Sequence, residues 1–367
     1  MMASVDYAVS SNDTRPPSVK VEQEAEQTAA PAGGMSDGGS SLAFVMGEDF
    51  AGMRSQALGL AARAGWRGVF CPICPDRVAR LALSGPRWLN HAFLRGLDGR
   101  HLHEHEDLGT SDVVISIGGK GGALGAALGE HPPPGRRERL PIVQVQHPRL
   151  DLGRFDLVVA CRHDEISGDN VLVGRTALHG LTRERLEEAR ALWAPRFAHL
   201  PRPLVAVLVG GSNGRYTFGV TEAARLGSVL VETMRAEGGS LLVTPSRRTD
   251  RAALRVLGDA VKQVGGFVWD GEGENPYVGL IACADSLVVT MDSVSMMSEA
   301  VAGSAPVTVF PLPGRSRRIS TFVEEMELAG RARVLEANEA RLQHPWPVTP
   351  LDDTPELVEE MHRRLGF

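Results

Sequence analysis

An α/β protein of two doubly wound domains facing across a cleft is the fold class that this sequence predicts, and three observations predict it. Short apolar strand candidates alternate with helical segments along most of the chain, the pattern of right-handed β-α-β crossovers. Those strands are apolar almost throughout, which marks parallel sheets covered on both faces. Finally, 367 residues, 43% of them hydrophobic and with 41 glycines, exceed what one core usually serves.

Residues 1–40 mix serine, proline, glycine and acidic residues without periodicity. A disordered tail is expected there, and its Glu22, Glu24 and Glu26 argue against a mitochondrial import sequence. The first domain is placed at 41–181 and opens on a strand over Leu42–Met46. The turn Gly47-Glu48-Asp49 follows, then a helix from Arg54 carrying Ala57, Leu58, Leu60, Ala61 and Ala64, ended by Gly65. Val113–Ile117, Ile142–Val145 and Phe155–Ala160 are its further strands. A connector helix at 182–202 carries Leu186, Ala189, Leu192 and Trp193 on one face, until Pro201 and Pro203 stop it. The second domain, 203–349, is assigned strands at Leu204–Val209, Ser240–Val243, Gly266–Trp269, Ser286–Thr290 and Pro306–Phe310. Helices at Thr221–Ala236, Asp250–Val264 and Ser293–Ala302 alternate with them. A last amphipathic helix, 350–367, carries Leu357, Val358, Met361 and Leu365.

The net charge of -6 gives no general attraction for nucleic acid or anionic lipid. No apolar run reaches the roughly 18 residues of a membrane-spanning helix. Cys71, Cys74, Cys161 and Cys283 are too sparse for a disulfide framework, so a reducing, cytosolic compartment is expected. Cys71-Pro72-Ile73-Cys74 has redox or zinc spacing but lacks a second pair, and buried structural thiols are the commoner case. His101, His103, Glu104, His105 and Glu106 form a second cluster, read as a solvated loop. No metal site is assigned.

Ligands of open parallel sheets bind beyond the carboxyl ends of the strands, which orders the search for chemistry. After Val209 comes Gly210-Gly211-Ser212-Asn213-Gly214-Arg215-Tyr216, a loop that could offer N–H groups and a guanidinium to a phosphate, or be a plain tight turn. After Val243 come Ser246, Arg247, Arg248 and Thr249, where Arg247 suits a diphosphate and Thr249 or Asp250 suits a helix cap. The most informative stretch runs from Val288 to Glu299. A buried strand feeds a turn with Asp292, Ser293 and Ser295, then a helix whose N-terminus would face an anion. Glu299, further along between apolar neighbours, could accept both hydroxyls of a ribose. In the first domain, Gln146, His147, Arg149, Arg162, His163 and Asp164 follow strands. A His or Asp facing a bound ligand could act as a general base, and His163 and Asp164 are the candidates. No DxD pair stands beside these strands, so no metal-held diphosphate is expected, and Arg247 and helix dipoles would have to meet its charge instead.

This strand-turn-helix, with Ser293, Ser298, Glu299 and Ala302-Gly303-Ser304-Ala305-Pro306, resembles the donor-sugar site of GT-B glycosyltransferases, which pair two Rossmann-like domains. More narrowly, the chain resembles the "elongated mitochondria" fission-factor family. The shared segments are Gly52-Met53-Arg54-Ser55-Gln56-Ala57-Leu58-Gly59-Leu60-Ala61, Val143-Gln144-Val145-Gln146-His147-Pro148-Arg149, Phe155-Asp156-Leu157-Val158-Val159, Arg162-His163-Asp164 and Ala177-Leu178-His179. Gly210-Gly211, Asn275-Pro276-Tyr277 and Val289-Thr290-Met291-Asp292-Ser293-Val294-Ser295 complete them. Gly118-Gly119-Lys120 departs from the family pattern, in which an arginine commonly follows the glycine. The resemblance implies a nucleotide-diphosphate sugar as donor, with no cofactor required. Glu299 would hold its ribose, Ser293 and Ser295 would lie near its phosphates, and Gly210, Gly211, Arg215, Ser246, Arg247, Asn275, Tyr277, Asp292 and Ser298 would complete the site. In a eukaryote the family implies a peripheral protein at the mitochondrial outer surface that helps place a dynamin-related GTPase. In a bacterium it implies a transferase of envelope glycan synthesis at the inner-membrane face. A nucleotide-sugar epimerase on the same fold is a further alternative.

Overall fold

A computed structural model describes residues 19–21, 41–75, 106–129 and 138–367. The first sheet contains β1 (Val19–Val21), β2 (Leu42–Gly47), β3 (Arg67–Pro75), β4 (Val113–Ile117), β5 (Ile142–Val145), β6 (Leu157–Cys161) and β7 (Val171–Gly174). Its order is β1-β3-β2-β4-β5-β6-β7, with every pair parallel except β1 against β3. Helices α1 (Ala51–Arg63), α2 (Glu106–Thr110) and α3 (Gly118–Leu128) belong to this half.

Next come α4 (Arg183–Phe197) and the second sheet, made of β8 (Leu204–Val209), β9 (Ser240–Pro245), β10 (Gly266–Val268), β11 (Ser286–Thr290), β12 (Val307–Phe310) and β13 (Ala332–Val334). This sheet is parallel throughout, in the order β10-β9-β8-β11-β12-β13. Between its strands run α5 (Val220–Glu237), α6 (Arg251–Val264), α7 (Tyr277–Cys283), α8 (Val294–Ala302) and α9 (Arg317–Leu328), and α10 (Thr354–Leu365) closes the chain. Each sheet has a buried apolar cluster on either face, so both are doubly wound, as the apolar strands imply. The order reverses between β2 and β4 in the first sheet and between β8 and β11 in the second. These switch points open crevices beyond the strand ends.

Several details differ from the sequence reading. Val19–Val21 pairs with β3 at the sheet edge, inside the segment expected to be a disordered tail; the rest of that tail lies outside the described residues. Helix α1 starts one turn before Arg54, at Ala51. Leu192, expected on the apolar face of the connector, is 45% exposed. Trp193 of that face is buried in the second sheet's core together with Phe197, Leu186 packs against it, and Gly279 on α7 leaves room for the Trp193 ring. Asp250, one of the two expected caps of α6, accepts from the N–H groups of Ala252 at 2.7 Å and Ala253 at 3.2 Å. Helix α10 returns to the first domain, where Leu357, Val358 and Met361 join its core. Two ion pairs fix it there, Arg63 to Asp352 at 2.7 Å and Arg175 to Asp353 at 2.5 Å.

Cys71 lies buried in β3, and burial pushes its thiol up to about 12, far from the thiolate a metal or redox site needs. The cluster from His101 to His105 lies outside the described residues. Among the described residues, no group of three or more His, Cys, Asp and Glu side chains could hold a metal ion. No helix there is long and apolar enough to cross a membrane.

Candidate functional site

A cleft of about 320 Å³ lies between the two domains. Its first-domain wall includes Phe50, Met53, Gln56, Gln146, His163, Asp164 and Thr176, and its second-domain wall Arg215, Asp292, Ser293, Ser295, Ser316 and Arg318. Of the residues singled out from sequence, His163, Asp164, Arg215, Asp292, Ser293 and Ser295 therefore line one space, although Asp292, Ser293 and Ser295 lie more than a hundred positions beyond His163 and Asp164 in the chain.

The second wall is organised by Asp292, whose side chain is fully buried. Its carboxylate accepts from the Thr290 hydroxyl at 2.7 Å, the Gly211 N–H at 3.1 Å and the Arg248 guanidinium at 2.6 Å. Arg248 also donates to the Gly211 carbonyl at 2.9 Å. A Cβ on Gly210 would collide with the Asp292 carboxylate, and one on Gly211 with the Arg248 backbone. The glycine pair is thus required by the packing of its own loop. Ser246 donates to the Gly210 carbonyl at 2.8 Å, and the Thr249 hydroxyl bonds the same oxygen. Arg247, expected to face a diphosphate, is exposed and has no side-chain hydrogen bond among the described residues. It is Arg248 that folds onto the loop.

From this platform α8 projects toward the first domain. Ser293 caps it, accepting from the Met296 N–H at 3.3 Å. The first-turn N–H groups, which no helix can satisfy internally, end at the cleft. Beyond the cap, Ser295 accepts from Gln56 at 2.8 Å and Ser298 from the Ala177 N–H at 3.0 Å. Glu299 is buried, taking the Ser55 hydroxyl at 3.0 Å on one oxygen and the Tyr277 hydroxyl at 2.5 Å on the other. Burial raises the Glu299 carboxyl above its usual range, a rise that the two hydroxyls oppose. Asn275 is exposed, and its side chain accepts from the Tyr277 N–H at 3.0 Å, shaping the entry to α7.

The first wall carries three non-glycine residues with left-handed backbone, Gln146 (φ 66), Arg149 (φ 60) and Glu165 (φ 54). All three stand just past the carboxyl ends of β5 and β6. Such strain persists only where the surroundings enforce it, and it clusters at functional sites. Asp164 accepts from the Cys161 N–H at 3.2 Å and from Arg318 of the opposite domain at 2.5 Å. Two more ion pairs continue this seam, Arg162 to Glu325 at 2.9 Å and Arg317 to Glu165 at 2.7 Å.

His163 is buried edge-on against Phe322, and its Nδ1 has no hydrogen-bond partner. Burial pushes its pKa down from 6.5 to about 4, with Asp164 opposing and Arg318 assisting. At neutral pH it is an uncharged imidazole whose buried Nδ1 carries no hydrogen bond. Because the folded pKa lies below the unfolded one, the protonated form favours the unfolded chain. The stabilisation is complete above 6.5 and is lost as pH falls toward 4, by up to about 3 kcal/mol. His163→Leu is accordingly expected to flatten the acid slope of urea-unfolding free energy between pH 6.5 and 4 relative to wild type.

Four participants were not found from sequence. Ser316 and Arg318 follow β12, where the same strand-end rule applies, and the run Arg315-Ser316-Arg317-Arg318 was the available signal. Ser55 and Gln56 sit inside an apolar helix, and only the docking of α1 on α8 gives them a role.

The family model described as Mitochondrial fission ELM1 matches residues 51–365. Mitochondrial fission protein ELM1 of Arabidopsis thaliana is 32% identical over 256 residues, covering 62% of this chain and 59% of that protein. An uncharacterised protein of Rickettsia prowazekii (strain Madrid E) is 22% identical over 351 residues, covering 86% of this chain and 96% of that protein. Among solved structures, the UDP-GlcNAc 2-epimerase from Methanocaldococcus jannaschii aligns with a TM-score of 0.51 at 13% identity, over 89% of this chain and 99% of that one. The likeness is one of fold, two doubly wound α/β domains.

Proposed function

This chain belongs to the mitochondrial fission ELM1 family, and we propose that it binds a nucleotide-diphosphate sugar in its interdomain cleft and acts on it as a glycosyltransferase. The observation that carries this reading is the composition of the second wall. The capped N-terminus of α8 and the guanidinium groups of Arg215 and Arg318 converge on one cleft, a combination suited to a diphosphate. Glu299 lies one helical turn beyond Ser295 and would take the ribose.

In this reading the sugar carbon faces the first wall, where His163 would accept the proton of an acceptor hydroxyl. Asp164, held by Arg318 and 3.9 Å from the imidazole Nε2, would stabilise the imidazolium that forms. Arg215, Arg318 and the helix N-terminus would stabilise the charge that develops on the departing diphosphate.

A second reading is favoured by the similarity to the Arabidopsis fission protein. There the chain would serve as a peripheral fission factor that helps hold a dynamin-related GTPase at the mitochondrial outer surface, keeping the cleft as an inherited feature. The experiment that tests the first reading is a melting titration with UDP, GDP, ADP and CMP. A ligand bound only by the folded state must stabilise it, by about 2.7 kcal/mol at a hundredfold excess over its dissociation constant. A rise in Tm with at least one nucleoside diphosphate is expected. No rise with any of them would remove the enzyme reading.

A further inference from the structure

We infer that the Gln56–Gln146 carboxamide pair is the sugar-reading element of the cleft, the neutral group that hydrogen-bonds the hydroxyls of a nucleotide-linked hexose. The inference rests on the nucleotide-sugar reading above and goes beyond it by naming what distinguishes the sugar from the nucleotide.

Gln146 is the first residue after β5 and holds the left-handed backbone already noted, which a glutamine rarely adopts. Its turn is propped from beneath by the buried Gln144. That side chain donates to the carbonyls of Gly118 at 3.2 Å, Val145 at 2.7 Å and Gln146 at 3.1 Å, and accepts from Ser116 at 2.6 Å. Helix α3 makes room for this prop. A Cβ on Gly122 would lie 2.8 Å from the Gln144 amide oxygen, and one on Gly125 would lie 2.6 Å from the Ser116 hydroxyl. Two side chains and two glycines thus hold one strained turn, whose outcome is to aim the Gln146 side chain into the cleft.

From there a chain of amides crosses between the domains. Gln146 donates to Gln56 at 3.0 Å, and Gln56 donates to Ser295 at 2.8 Å, in the first turn of α8. Gln56 is 5% exposed and has its oxygen and one N–H engaged. Gln146 is half-buried and lines the cleft, and its amide oxygen has no partner among the described residues. It therefore presents an unused acceptor beside a remaining N–H, a match for adjacent sugar hydroxyls. Charge is divided in the same sense. The lysine and arginine side chains lining the cleft, Arg215 and Arg318, both come from the second domain. A diphosphate held on that wall directs its sugar toward the uncharged amides of the other.

The test compares wild type with Gln146→Asn and Gln56→Leu. Asparagine tolerates left-handed backbone well but shortens the reach by one methylene, and Gln56→Leu removes the relay without touching the strained turn. Each protein is titrated calorimetrically with UDP, UDP-glucose, UDP-N-acetylglucosamine, GDP, GDP-mannose, ADP and ADP-glucose. Wild type is expected to bind one sugar nucleotide more tightly than its parent diphosphate. Both variants should keep the diphosphate affinity within about threefold and lose about tenfold for the sugar form. Equal losses for both forms, undiminished sugar binding in the variants, or no sugar preference in wild type would each overturn the inference while leaving nucleotide binding intact. Absence of binding by any of these compounds would instead defeat the underlying reading, and the inference with it.

Discussion

Replacing Glu299 with glutamine is expected to weaken nucleoside diphosphate binding by about ten- to a hundredfold while leaving the ligand-free protein as stable as wild type, or more so. The loss follows from charge. A carboxylate accepts on two oxygens, whereas an amide accepts on one, and a hydrogen bond to a charged group contributes about 1.5–3 kcal/mol. The Ser55 and Tyr277 hydroxyls already occupy both oxygens, which is how the two hydroxyls of a ribose would approach, so they are the groups a nucleotide must displace. The retained stability follows from burial. Glu299 has its folded pKa raised above the unfolded value, so its contribution is present in full below the unfolded pKa and is lost as pH rises through the folded one. Neutral glutamine carries no such cost at pH 7. Calorimetric titration and thermal melting of the two proteins check both halves, and a variant that melts well below wild type would show Glu299 to be a structural carboxylate.

Arg331→Met is expected to lower the unfolding free energy by about 3–5 kcal/mol, read from urea denaturation. Arg331 is 2% exposed and donates to the carbonyls of Val301 (2.8 Å), Gly303 (3.0 Å) and Ala305 (3.1 Å), closing the C-terminal end of α8. Burial pushes its pKa down to about 10, so it remains a cation at neutral pH, where a helix C-terminus favours one. Methionine fills most of the volume but leaves the buried Gly303 and Ala305 carbonyls without their donor, each costing about 1–3 kcal/mol before relaxation, while the Val301 carbonyl keeps the Leu351 N–H at 2.9 Å. The same change loosens the helix that carries Ser295 and Glu299, so nucleotide affinity should fall with stability. Arg331→Lys keeps the charge without the fork and should recover only part of either.

Most of the sheet core was legible because buried parallel strands announce themselves. Val113–Ile117, Ile142–Val145, Leu204–Val209 and Ser286–Thr290 have the expected bounds, being β-branched runs between turn residues. What escaped had a weaker local signal. The segment Gly118–Leu128 is so rich in glycine that propensity opposes a helix. Its glycines make room for Ser116 and Gln144, a tertiary demand invisible along the chain. Strand β3 carries a proline between two cysteines, a spacing weighed for zinc or redox chemistry before buried thiols were preferred, and no strand was assigned to it.

At the site, the rule of looking beyond strand ends pointed to residues of both walls, and a helix was expected to begin at Ser293, which caps it. The assignment of partners was not. Arg247 and Arg248 are adjacent with identical chemistry, and only the fold determines that Arg248 meets Asp292. Glycines that look made for a phosphate turn out to admit a carboxylate and a backbone. The contacts joining the domains, Ser55 to Glu299 and Arg318 to Asp164, span 244 and 154 positions, and no periodicity encodes pairing at that range.

The most direct test of the central claim is a crystal structure of the chain with whichever nucleoside diphosphate most raises its melting temperature. The account predicts the diphosphate at the N-terminus of α8 beside Arg318, and the ribose hydroxyls on the Glu299 carboxylate in place of Ser55 and Tyr277. A nucleotide bound elsewhere, or Ser55 and Tyr277 still holding the Glu299 carboxylate at saturating ligand, would contradict it.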